Sequence, residues 1–253
     1  MAVKDMHSVY PISWILKSVF FIDFVNSSLK LENGEIIVAD FASGEHDRVP
    51  SFFIDLLPKQ LEIGSEKSSQ IFVYSIDLHS LRLDSLLGKL EECNQLRRAR
   101  MVQAKLESLD EKATIRPGVI QYLERHLDDI IWLDDFLIGE RRFPPECIDI
   151  GVLNNDVIGY LHEYYKNSSN LNLAVQQIWK VIRPGGLLVV TMPCSLYVVD
   201  NIAVLERAGF AFEQGIDITL ANGNVRFIEK NTGMQELSQL GHYTFFLLSK
   251  RKT

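Results

Sequence analysis

Polar residues stand where the apolar runs of this chain end. The run "EIIVA" stops at Asp40, and "QIFVYSID" stops at Asp77. "IIWLDD" ends in Asp134 and Asp135, and "CIDIGVLNND" ends in Asn154, Asn155 and Asp156. Each run reads as a buried strand, which places these side chains at strand carboxyl ends. In an open sheet of parallel strands, ligands bind beyond those ends, at the point where strand order reverses. A carboxylate there offers two acceptor oxygens to a ligand's hydroxyl or cationic groups. A single such acid commonly caps the next helix. Successive strands ending this way, in otherwise apolar sequence, point to a shared rim. The turn after Asp40, "FASGEH", contributes Gly44, and a glycine lets the backbone approach a ligand closely.

Other chemistries lack their residues. "HEYYK" begins like the zinc motif His-Glu-x-x-His, but Lys166 replaces the second imidazole, so His162 reads as an exposed helix residue. "PCSLY" offers Cys194 and Ser195 without the G-x-S-x-G turn of a nucleophile elbow. Cys93, Cys147 and Cys194 lie far apart, which disfavours a zinc site or disulfide framework and fits a reducing cytosol. A dinucleotide cradle needs closely spaced glycines with an acid about 20 residues on. Here one glycine precedes Asp77 by 33 residues, so a nicotinamide oxidoreductase is the weakest reading.

The elements that must position the rim alternate along the chain. Of 253 residues, 47% are hydrophobic, enough for one sizeable core. A helix is expected near residues 14–25, carried by Trp14, Ile15, Phe20 and Phe24. Asp47 and Pro50 open another helix that Pro58 should stop or kink. Leu83, Leu86, Leu87 and Leu90 trace a helical stripe, and residues 97–129 read as two more helices. "LNLAVQQIWKVI" is an amphipathic helix running into "RPGG" and the strand "LLVVTMP". "NIAVLERAGF" is a helix closed by Gly209, and two late strands, near 210–220 and 243–249, should pair antiparallel. This alternation predicts an α/β, doubly wound, mostly parallel sheet with helices on both faces. One domain over residues 1–253 is expected: an N-terminal helical extension (1–33) and a Rossmann-like core (34–253) with a helical insertion near 97–129.

The net charge is −7, from 26 basic and 33 acidic side chains, and basic residues form only short clusters. Duplex binding needs grouped cations, so a nucleic-acid partner is disfavoured. The run "YPISWILKSVFFIDFV" is interrupted by Lys17 and Asp23, which argues against a membrane span. It is a candidate lid or homodimer face.

Taken together, the motifs resemble those of class I S-adenosylmethionine-dependent methyltransferases. "DFASGEH" resembles the family's first motif, and Asp77 stands where the family has the acid ending its second strand. "DDFLIGERRFPPECIDIGVL" resembles its third-to-fourth-strand segment, with Asp149 inside the fourth strand. "IWKVIRPGGLLVVTMP" with "VLERAGF", and "YTFFLLSKRK", are similar to the family's last strands. The resemblance covers residues 34–250 and implies a seven-stranded sheet whose last strand is antiparallel. It also implies S-adenosylmethionine as cofactor and a methyl acceptor, with a small molecule expected. For the cofactor it implies Asp40, Ala42 and Gly44 at the amino-acid end, and Asp77 with Leu78 at the ribose. Asp135, or Asp134 after a one-residue slip, falls to the adenine amino group with Phe136 beside the ring, and Asn154 lies nearby. Asp156, His162 and Tyr197 are the candidates for a base. Two glycines of the first motif are replaced by Ala42 and His46; Ala42 is harmless if its dihedral angles are ordinary. A methyltransferase-like binding subunit without activity is the alternative. "NNDV" lacks the D/N-P-P-Y/F pattern of amino-methylating nucleic-acid enzymes. Acceptor choice in the family comes from additions, here the N-terminal helix, residues 97–129 and residues 221–241.

Overall fold

The computed structural model describes residues 11–30, 35–164, 168–193, 198–230, 232, 234–237, 240 and 243–251. Their strands are β1 (Ile36–Phe41), β2 (Ile71–Asp77), β3 (Ala99–Ala104), β4 (Ala113–Ile115), β5 (Ile148–Leu153), β6 (Ile182–Met192), β7 (Phe210–Thr219), β8 (Asn224–Ile228) and β9 (Tyr243–Lys250). They form one sheet in the order β4-β3-β2-β1-β5-β6-β9-β7-β8. β1 pairs parallel with β2 and β5, β2 with β3, and β5 with β6. β9 runs antiparallel between β6 and β7, as the late strands predicted. The order reverses between β1 and β5, which makes that pair the topological switch point.

The sheet has nine strands among the described residues, not seven. β4 and β8 are antiparallel edge additions beside β3 and β7. A larger correction concerns the third strand. It is "ARMVQA", inside the stretch expected to be helical, whereas "IIWLDD" leads into the helix Trp132–Gly139. Leu133 and Leu137 are buried one turn apart on one face of that helix. Asp134 Oδ2 accepts the Ile131 N–H at 3.2 Å and so caps the helix start. Of the expected insertion, only Pro117–Arg125 is a regular α-helix, followed by a short 3₁₀ turn, Leu127–Asp129.

Arg100 explains how a strand hides behind charge. Its side chain is fully buried, and so are those of Asp134 and Tyr74. Arg100 Nε donates to Asp134 Oδ1 at 2.9 Å and to Oδ2 at 3.0 Å. Nη2 donates to Asp129 O at 2.7 Å, Nη1 to Leu96 O at 2.6 Å, and Tyr74 OH to Asp134 Oδ1 at 2.9 Å. Paired and hydrogen-bonded in this way, a charge is tolerated inside. The cluster pins the helix Trp132–Gly139 to β2 and β3.

The N-terminal segment divides at Ser18 into a 3₁₀ turn, Pro11–Lys17, and the helix Val19–Ser28. Ser18 Oγ accepts the Phe21 N–H at 3.1 Å, which caps the second part. Ile12, Ile15, Phe21 and Val25 join the core, Phe21 edge-on to Phe53, and Val19 and Phe20 stay exposed. The helix does not stop at Pro58 but runs over residues 48–60, because a π-turn over Phe52–Leu56 absorbs the missing N–H. At the amino ends of the strands, Asp149 Oδ2 accepts the Ile37 N–H at 2.7 Å and Oδ1 pairs with Arg183, tying β1, β5 and β6 together. No helix among the described residues is long and apolar enough to cross a membrane.

Candidate functional site

A cavity of about 490 Å³ opens beyond the carboxyl ends of β1, β2, β3 and β5, at the switch point. That volume is in the range of sites for drug-sized ligands. From β1 and its turn it takes Asp40, Ala42, Gly44 and His46, and from β2 it takes Asp77, Leu78 and His79. β3 leads to Lys105, Leu106 and Glu107, and β5 to Asn154 and Asn155. The helix Val157–Tyr164 adds Tyr160, Leu161 and Tyr164.

The turn after β1 is held by its neighbours. Ser43 N–H donates to Ile76 O at 3.0 Å, Gly44 N–H to Asp77 Oδ2 at 3.0 Å, and Lys89 Nζ to Glu45 O at 2.7 Å. Asp77 Oδ1 accepts the His79 N–H at 2.8 Å, so one carboxylate orders two loops. Leu78 O accepts from Gln103 Nε2 at 3.1 Å, and Arg116 fixes Gln103 at 2.9 Å while pairing with Asp84. Gly44 has φ +65°, and a Cβ there would meet nothing within 4 Å. Ala42 has φ +58°, a left-handed conformation that disfavours any Cβ, so its dihedral angles are not ordinary.

Asp40 is only 2% exposed, and its Oδ1 has no hydrogen-bond partner among the described residues. Burial first, and the nearby Asp77 carboxylate second, raise its pKa well above the usual carboxylate range.

On the β5 side, Thr191 Oγ1 donates to Asn154 Oδ1 at 2.7 Å and accepts the Asn155 N–H at 2.8 Å. Tyr243 OH lies 3.2 Å from both Thr191 Oγ1 and Asn155 Oδ1. Asp156 is turned away from the cavity wall: its Oδ1 accepts from Asn201 Nδ2 at 2.7 Å and from Gly159 N–H at 3.1 Å. A Cβ on residue 159 would stand 2.3 Å from Asp156 Oδ2, so the carboxylate keeps this place only beside a glycine. Burial is the main cause that raises the Asp156 carboxyl.

The structure thus brings Asp40, Ala42, Gly44, Asp77, Leu78 and Asn154 to one cavity. It does not bring Asp134, Asp135 or Phe136 there. Asp134 is locked under Arg100, Asp135 is exposed on its helix, and Phe136 lies under the Arg142 guanidinium at 5.7 Å. Asp156 and His162 flank the cavity without lining it, and Tyr197, Cys194 and Ser195 lie outside the described residues. Trp14, Phe20, Phe21 and Phe24, on the segment read as a candidate lid or homodimer face, do not border this cavity. Sequence reasoning missed Lys105, Leu106 and Glu107 because it missed β3. It also passed over Arg48, Arg82, Tyr160 and Tyr164, whose signal would have been their place just after strand ends.

The strand order, with its reversal at β1 and β5 and its antiparallel β9, decides the fold. It is that of class I S-adenosylmethionine-dependent methyltransferases. Among solved structures, the chain is similar to an S-adenosylmethionine-dependent methyltransferase from Methanosarcina mazei, at 8% identity with a TM-score of 0.53, covering 93% of this chain and 99% of that one. One from Clostridium acetobutylicum has 10% identity and a TM-score of 0.51, covering 91% and 90%. A TehB-like methyltransferase from Corynebacterium glutamicum has 14% identity and a TM-score of 0.50, covering 90% and 85%. No family model and no curated protein matches the sequence. At such identities the methyltransferase likeness is one of fold.

Proposed function

We propose that the chain is an S-adenosylmethionine-dependent methyltransferase acting on a small-molecule acceptor. The observation that supports this most is the meeting of Asp40, Gly44 and Asp77 at one cavity over the switch point. The residues fit the cofactor. Asp40 presents a buried carboxylate with an unpartnered oxygen, suited to the ammonium end directly or through the first turn. Gly44 leaves open space beside it. Each Asp77 oxygen accepts one backbone N–H and keeps capacity for a ribose hydroxyl. Leu78 and Leu106 offer apolar surface to the adenine. Glu107, on the wall after β3, takes the place expected for Asp135.

The cofactor, when bound, supplies a methyl group on a good leaving group, so no covalent enzyme intermediate is needed. The chain's task is to orient the acceptor and exclude water. The Thr191 and Tyr243 hydroxyls fix the Asn154 and Asn155 side chains that form the acceptor wall. An acidic chain with short basic clusters favours a small acceptor over RNA or protein.

The inactive-subunit reading draws on Ala42 in its left-handed conformation and on His46 at the cavity wall. A thermal-shift screen with S-adenosylmethionine, S-adenosylhomocysteine and NAD separates the readings, because a ligand bound only to the folded state raises the melting temperature. Stabilisation by the two S-adenosyl compounds and not by NAD is expected. Stabilisation by none supports a domain that has lost its cofactor.

A further inference from the structure

We propose that the acceptor is a small, flat molecule carrying a carboxylate or phosphate, whose anionic group is taken by Arg48 and the side-chain amides of Asn154 and Asn155. This deepens the methyltransferase reading and rests on it for the location of the acceptor.

Three observations lead there. First, Arg48 lines the cavity, and its guanidinium makes no hydrogen bond or ion pair with a described residue. Several other guanidinium groups are held by carboxylates, Arg97 by Asp129, Arg100 by Asp134, Arg116 by Asp84 and Arg183 by Asp149, while Arg82 shares the cavity lining with Arg48 from the β2 side. Arg48 is exposed at the cavity, so its guanidinium is available to an anionic ligand there. Arg48 shares the cavity lining with Asn154 and Asn155, and its charge reaches Tyr243 behind them: burial raises the Tyr243 phenol, while the Thr191 hydrogen bond and the Arg48 charge pull it back.

Second, this wall is rich in donors and poor in free acceptors. Asn154 Oδ1 is engaged by Thr191, and Asn155 Oδ1 lies within reach of Tyr243 OH. Both amides therefore turn their acceptor ends to the protein, which leaves Nδ2 of each without a partner among the described residues. The nearest carboxylate of the same turn, Asp156, is held by Asn201 and Gly159 and does not line the cavity. Amide N–H groups with a guanidinium make a site for an anion. The Asp40 and Asp77 carboxyls at the ends of β1 and β2 suit the cationic end of a ligand instead.

Third, Tyr160 and Tyr164 stack along the helix Val157–Tyr164, with ring centroids 6.0 Å apart and planes 20° apart, at the same cavity. They remain 56% and 52% exposed, which leaves ring surface on which a flat ligand can pack. A long polyanion is disfavoured, because the net charge of −7 repels it, while screening leaves a single anion governed by its near neighbours.

The test is calorimetry in the presence of saturating S-adenosylhomocysteine. The probes are 4-hydroxybenzoate and phenyl phosphate, against their neutral counterparts 4-hydroxybenzamide and phenol, with a single-stranded RNA oligonucleotide as a further arm. The wild type is expected to favour at least one anion about tenfold or more over its neutral counterpart. Arg48→Gln should abolish that preference, Arg48→Lys should restore part of it, and the exposed Arg141→Gln should keep it. The better anion identifies the headgroup as carboxylate or phosphate. Equal binding of neutral and anionic probes, an unchanged preference in Arg48→Gln, or tight binding of the oligonucleotide alone would overturn the proposal. Failure of S-adenosylhomocysteine itself to bind is a separate result, and it removes the methyltransferase reading.

Discussion

Replacing Asp40 by Asn should make the protein more stable at neutral pH while weakening its ligand site. The carboxyl is 2% exposed, one oxygen has no partner among the described residues, and Asp77 stands nearby. A buried polar group left unsatisfied costs about 1–3 kcal/mol, and more when charged. Asn keeps the shape and a polar atom at that place but removes the charge, so the part of the cost due to the charge, taken as about 1–3 kcal/mol, is recovered. For a chain of this size, 1 kcal/mol moves Tm by about 2–4 °C, which gives a rise of roughly 2–12 °C. The sign with pH follows from linkage. The folded-state pKa of Asp40 is raised above its ordinary value of 3.8, so the folded state holds the proton more tightly than the unfolded chain. That stabilisation is complete below the ordinary value and is lost as pH rises through the folded-state value. The variant therefore melts together with the wild type under acid conditions and above it at neutral pH. Thermal melts from pH 3.5 to 8 read the difference directly. A variant that is less stable at neutral pH, or a gap that does not change with pH, would refute the reasoning.

Other predictions follow from the same contacts. Ala42→Gly removes a left-handed Cβ worth roughly 1–2 kcal/mol and returns about 0.5–1 kcal/mol in chain entropy, so a net gain of about 0.5–1 kcal/mol is expected in denaturant titrations. Asp134→Ala strands the buried Arg100 and should cost about 3–5 kcal/mol, seen as a large fall in Tm, with the ligand-induced shift retained if the variant folds. Glu107→Ala should weaken S-adenosylhomocysteine binding by about 1 kcal/mol, whereas Asp135→Ala leaves it unchanged, because only Glu107 lines the cavity. Calorimetry on both variants checks the assignment.

The parts of the fold that local sequence pattern controls were legible. β1, β2, β5, β6 and β9 are apolar runs, and their acids or amides mark the rim correctly at Asp40, Asp77 and Asn154. β3 was hidden because its buried Arg100 is neutralised by Asp134, a partner 34 residues away that no local window contains. Losing β3 led to Asp134 and Asp135 as the adenine-side acid, which lie away from the cavity, and hid Glu107, which lines it. "IIWLDD" misled because a short apolar run before acids fits a strand or a helix start equally well. β8 carries exposed residues along an edge, and β4 is three residues long, so neither has an apolar signature. Ala42 taught a separate lesson: residue type alone does not reveal a left-handed turn unless the residue is glycine.

The central claim is that Asp40, Gly44 and Asp77 bind an adenosine-bearing sulfonium compound at the β1–β5 switch point. Isothermal titration of S-adenosylhomocysteine into the wild type and into Asp77→Ala tests it most directly. The account predicts one site per chain, weakened in the variant by about 1–3 kcal/mol, or roughly 5- to 150-fold. No binding to the wild type, or equal binding to both proteins, would contradict it.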